Sequence, residues 1–76
     1  VTSPLVGVFY TAPSEDAAPF VKIGDQVKEG QVIAIVEAMK LMHEITCEQN
    51  GIVKEICAQN GDAVEYGQKL FIIEEA

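Results

Sequence analysis

Apolar residues fall in short runs separated by turn formers. Stretches rich in Val, Ile and Phe at residues 5–10, 32–36, 41–47, 52–57 and 69–73 have the composition of strands. Gly7 falls inside the first, and between them stand Gly24-Asp25, Gly30-Gln31, Asn50-Gly51, Asn60-Gly61-Asp62 and Gly67-Gln68; these turn formers cut the chain into pieces too short for typical helices. The pattern predicts an all-β protein.

A shift of 37 positions lays GDQVKEGQVIAIVE (24–37) over GDAVEYGQKLFIIE (61–74), with seven identities in 14 positions. The identities include the turn glycines Gly24/Gly61 and Gly30/Gly67, and they extend to Asp25/Asp62, Gln31/Gln68 and Glu37/Glu74. One such β unit cannot bury its own apolar face. Two must pack together, most simply about a pseudo-twofold axis, which predicts a flattened antiparallel barrel or sandwich of two small sheets.

The halves differ at one place. Gly51 and Gly61 are 10 residues apart whereas the matching Gly7 and Gly24 are 17 apart, so the first half carries seven extra residues. They fall within residues 10–20, about 11–19, where Pro13 and Pro19 restrict the backbone near both ends. This reads either as a tolerated surface loop or as a protrusion that adds a function to a symmetric scaffold.

Composition narrows the partners. A chain of 76 residues suffices for one small domain, 1–76, and a domain this size buries only about 60% of its unfolded surface. Twelve acidic residues against five lysines and no arginine give a formal charge of −7, which disfavours nucleic acid and anionic membrane surfaces. No apolar run approaches the roughly 20 residues of a membrane span. The chain opens at Val1 without an initiator methionine or a signal-like block, and it reads as excised from something longer. Cys47 and Cys57 have no metal-like spacing with the single His43, so no metal site is expected. Both cysteines are expected to be reduced and partly buried.

The repeat fixes a junction. Glu37 ends the first copy and the next strand starts near Leu41, so residues 38–41 form a tight reversal with Met39-Lys40 at its centre. Two-residue hairpins need positive φ at one or both central positions and favour Asn-Gly or Gly-X. Asn-Gly occurs at 50–51 and at 60–61, yet not here, so something other than folding selects Met39 and Lys40. Lys40 could be an ordinary solvated lysine, which leaves the crowding by Met39, Leu41 and Met42 unexplained. A catalytic amine would need desolvation or a cationic neighbour, whereas its nearest charges are Glu37 and Glu44. As an attachment point, Lys40 would be presented at a hairpin tip within an apolar recognition surface.

The segment EAMKLM (37–42) in a duplicated β domain, with SPLVGVFY (3–10) before it and NGDAVEYGQKLFIIE (60–74) after it, resembles the biotinyl, or biotin carboxyl carrier, domains. The resemblance covers the whole chain. It implies biotin in amide linkage on Lys40, with Ala38, Met39 and Leu41 read by biotin protein ligase and Glu37 a further candidate for that reading. Leu41 replaces the second methionine of the family's Ala-Met-Lys-Met core, a change that conserves volume and apolarity. The seven-residue insertion resembles the thumb of carriers from multi-subunit acetyl-CoA carboxylases of bacteria and plastids. In those the thumb can lie against the tethered biotin, which makes Thr11, Ala12 and Pro13 candidate thumb contacts. Ala12 stands where relatives can offer a hydroxyl.

The resemblance further implies a carrier with no catalytic residues of its own. A biotin carboxylase subunit would load the biotin ureido nitrogen at the expense of ATP and bicarbonate, and carboxyltransferase subunits would pass the carboxyl group to acetyl-CoA, giving malonyl-CoA for fatty acid synthesis. Bacterial cytoplasm or plastid stroma would be its place. A lipoyl-type acyl carrier on the same scaffold, or a biotinyl domain of another biotin-dependent carboxylase, is the alternative.

Overall fold

The computed structural model describes residues 1–14 and 16–75. Among them seven strands and no helix occur: β1 (Gly7–Tyr10), β2 (Gln26–Val27), β3 (Val32–Ala38), β4 (Leu41–Thr46), β5 (Gly51–Ile56), β6 (Ala63–Val64) and β7 (Phe71–Glu75). They form two antiparallel sheets, ordered β4-β3-β1-β6 and β2-β5-β7, in a body of 35 × 28 × 19 Å. All-β architecture, two sheets and flattening agree with the sequence. Five strands lie where the apolar runs put them, with shifted ends, while β2 and β6 are too short to leave a periodic signal.

The repeat is a pseudo-twofold relation, legible in the pairing. Val8 pairs with Glu37 as Ile52 pairs with Glu74, and Gly7 with Val64 as Gly51 with Val27. Each half lends a two-residue strand to the other half's sheet, so neither closes alone. The repeated identities have local causes. Asp25 and Asp62 Oδ2 accept the N–H of Lys22 and Gln59, both at 2.9 Å, and Gln31 and Gln68 Oε1 accept the N–H of Lys28 and Glu65, both at 3.0 Å. In all four turns the third residue is a glycine with φ between 81° and 95°. That conformation suits a residue without a Cβ.

Asn-Gly plays a different part from the one expected. Neither Asn50 nor Asn60 has positive φ, and Gly51 opens β5 instead of forming a turn. Among the described residues, Met39 and Lys40 are the non-glycine residues with positive φ.

The core lies between the sheets and is built largely from mates. Val27 and Val64, Ile33 and Leu70, Val21 and Ala58 are all buried. Phe9 and Phe71 come from opposite halves and meet edge-on, centroids 5.8 Å apart at 60°. Their own mates are the smaller Val53 and Ala34, also buried, so bulk on one side is matched by economy on the other. Buried Ser3 donates its hydroxyl to the Leu5 carbonyl at 2.6 Å, and its mate Cys47 turns Sγ to the Gln49 carbonyl at 3.0 Å. Both thiols are free. Cys47 is buried as expected, but Cys57 is exposed: just past β5 its N–H still bonds the Leu70 carbonyl at 2.7 Å, while the next residue, Ala58, is the one buried.

Candidate functional site

The β3–β4 hairpin carries the site. Ile33 to Val36 are buried, so β3 is clamped through its middle and emerges at its end. Ala38 pairs with Leu41 and Glu37 with Met42, leaving Met39 and Lys40 as a two-residue loop with φ of 52° and 66°. Two successive left-handed residues match the right-handed twist of the flanking strands. For residues with a Cβ this backbone costs roughly 1–2 kcal/mol each. Packing of β3 holds the tip against that strain.

Lys40 is exposed. Around it Met39 is 93% exposed, Leu41 61% and Met42 53%. Single exposed apolar residues are ordinary; three within four positions at a strained tip form a surface. Ala38 and Glu37 are half-buried beneath it, and the Tyr10 hydroxyl, from β1, donates to Glu37 Oε1 at 3.3 Å.

The seven extra residues lie between Phe9 and Val21, whose mates are Val53 and Ala58. The Phe20 N–H donates to the Thr11 carbonyl at 2.9 Å, closing the segment into a loop, and the Ala17 N–H donates to the Ser14 carbonyl at 3.2 Å. At the root of the loop, Asn60 Oδ1 accepts the Thr11 N–H at 2.9 Å and lies 3.4 Å from the Thr11 hydroxyl. Ala12 and Pro13 line a cleft of about 400 Å³ together with Tyr10, Met42 and Asn60. The structure thus brings two of the three expected insertion residues beside the hairpin. Thr11 serves as the root instead. A second cleft, of about 340 Å³, runs along β7 past Val1 and Lys69 and carries none of the expected residues.

Met42, noted in the sequence for crowding the tip, lines the cleft, and Tyr10 and Asn60 join the site without having been singled out. For Asn60 a signal existed: the repeat sets it opposite Ile23, so its amide is not a requirement of the shared turn. His43 is an exposed residue of β4. No group of three or more metal-ligating side chains and no helix able to cross a membrane occur among the described residues.

The site is thus a lysine held at a strained, apolar-flanked turn on a duplicated β frame. Residues 1–73 match the family described as biotin-requiring enzyme, and the chain belongs to that family. It is 52% identical over 73 residues to the biotin carboxyl carrier protein of acetyl-CoA carboxylase from Nostoc sp., covering 96% of this chain and 40% of that protein. The carrier of the same name from Chlamydia trachomatis is 51% identical over 76 residues, 100% of this chain and 46% of its own length. A chloroplastic carrier from Arabidopsis thaliana is 46% identical over 71 residues, 93% and 28% respectively. The chain therefore spans less than half of these relatives. Among solved structures it resembles the Kluyveromyces lactis urea carboxylase (TM-score 0.79, 30% identity, 97% of this chain and 6% of that one). It also shares its fold with a single-chain, multi-domain long-chain acyl-CoA carboxylase (TM-score 0.83, 17% identity, 100% and 7%).

Proposed function

We propose that this chain, residues 1–76 acting as one domain, is the biotin carboxyl carrier of an acetyl-CoA carboxylase and that Lys40 bears the biotin. The observation that carries the reading is the Met39-Lys40 turn: both residues are left-handed, both exposed, and neither is what a hairpin of this kind favours. Membership of a biotin-requiring family and close likeness to carriers of that name support it.

The residues present fit such a group. Lys40 Nζ stands in solvent at the end of a four-carbon stem, where a ligase can reach it and form an amide, losing one positive charge and taking the formal total from −7 to −8. Exposed Met39, Leu41 and Met42 give the ligase a soft apolar patch. Glu37, braced by Tyr10 and pulled half out of water, fixes the base of that patch, and Ala38 keeps the first position of the turn small. The bound biotin would supply the acceptor for the carboxyl group. The domain contributes reach: a stiff frame with one long arm raises the arm's effective concentration at both of the enzyme's centres. It performs no bond chemistry. Its partners in this reading are biotin protein ligase, the biotin carboxylase subunit and the carboxyltransferase subunits, and its setting is bacterial cytoplasm or plastid stroma, the latter in keeping with the chloroplastic relatives.

In this reading Ala12 and Pro13, which line a cleft together with Met42, act as a thumb against the arm. Intact mass after incubation with biotin, ATP and a biotin ligase tests the reading. One adduct is expected on the wild-type chain and none on Lys40→Arg; an unmodified wild-type chain overturns it.

A further inference from the structure

The two-fold relation gives most residues an internal control in the other half. Asn60 and its mate Ile23 both precede a glycine with strongly positive φ, 91° at Gly61 and 95° at Gly24. Both turns close by the same 3.0 Å bond, Asp62 N–H to Gln59 O and Asp25 N–H to Lys22 O. Both glycine N–H groups donate at 2.7 Å to a strand of the other half in the same sheet, to the Phe9 and Val53 carbonyls. The turn therefore forms equally well with an isoleucine, and the amide of Asn60 is superfluous to it.

That amide is used elsewhere. Its Oδ1 accepts the N–H of Thr11, the residue at which the first half departs from the repeat. The Thr11 carbonyl in turn receives the Phe20 N–H from the far end of the insertion. Tyr10, one residue earlier, donates to Glu37 three positions before Lys40. One short segment is thus tied to the second half, to the insertion's own end and to the strand that carries the attachment hairpin.

We propose that Asn60 is a positioning residue of the carrier: it pins the root of the insertion and so holds Ala12 and Pro13 across the cleft from Met42, completing the surface that a biotin ligase meets. The proposal rests on Lys40 being the attachment site. Pinning acts before binding, as preorganisation, so its loss weakens recognition of the domain without touching the amine that reacts.

The test compares wild type with Asn60→Ile, which installs the mate's side chain, Asn60→Ala, and Asn60→Asp, which keeps an Oδ acceptor. Amide exchange is followed at Thr11, and KM and kcat are measured for biotin ligase acting on each domain. In the Ile and Ala variants the Thr11 amide is expected to exchange roughly fivefold faster, the effect of losing one modest hydrogen bond. KM for the domain is expected to rise by a similar, roughly fivefold factor with kcat unchanged. Asn60→Asp is expected to behave as wild type in both. The proposal is overturned if Thr11 protection survives in the Ile and Ala variants, if Asn60→Asp loses it equally, or if KM does not move when protection is lost. Absence of any adduct on wild type is a different outcome and refutes the attachment reading instead.

Discussion

Gly7 and Gly51 meet the same obstacle in the two halves. A Cβ on Gly7 would overlap the backbone carbonyl of Glu37 and the Val36 side chain; on Gly51 it would overlap the carbonyl of Glu74 and the Ile73 side chain. Each glycine lets a strand pass close to its neighbour at the point where a short strand from the other half docks.

Equal obstruction implies equal damage. Gly7→Ala and Gly51→Ala are each expected to destabilise the domain by about 1–3 kcal/mol, since the obstacle is largely backbone and cannot swing aside. Gly24→Ala meets open space and suffers only the left-handed strain, about 1–2 kcal/mol. Urea denaturation of the three variants checks the ordering.

At the hairpin tip, stability and recognition pull apart. Met39→Gly relieves a left-handed residue with a Cβ and is expected to stabilise the fold by about 1 kcal/mol. It also removes the most exposed apolar side chain beside Lys40, so the rate of ligase modification should fall. A variant that is both more stable and modified as fast as wild type would show that Met39 is not read.

Lys40→Arg keeps charge and exposure and makes no demand on the core. Its unfolding free energy is expected to stay within about 0.5 kcal/mol of wild type, so loss of the adduct would report on attachment chemistry alone. Thermal unfolding beside intact mass measures both.

The thiols separate by burial. Cys57 should react with a water-soluble thiol reagent in the folded domain, and Cys47 only after denaturation. Stoichiometry before and after adding denaturant, one thiol and then two, checks this.

Phe71→Ala opens a hole at the edge-on contact with Phe9 and is expected to cost about 3–5 kcal/mol. That is a large share of the stability of a domain this small. Circular dichroism is expected to find it substantially unfolded at room temperature.

Much of the architecture was legible because duplication doubles each signal. The alignment of residues 24–37 with 61–74 located the turns, the junction at Lys40 and the seven-residue insertion. What stayed hidden depends on register. The Tyr10–Glu37 bond joins residues 27 apart, and the Thr11–Asn60 bond residues 49 apart; neither can be read until strand pairing is known. Asn60-Gly61 misled for a related reason. Asn before Gly suggested a two-residue hairpin, whereas its side chain was committed to a distant amide and its own φ is not left-handed.

The insertion has one more effect. A frame that shows the same four glycine turns in two matched pairs offers any partner gripping those turns two orientations of nearly equal energy, and only one of them points Lys40 towards a given target. The loop closed by the Phe20–Thr11 bond, like the fourth strand of the first sheet, marks one half from the other, so the two orientations of such a partner would not be equivalent.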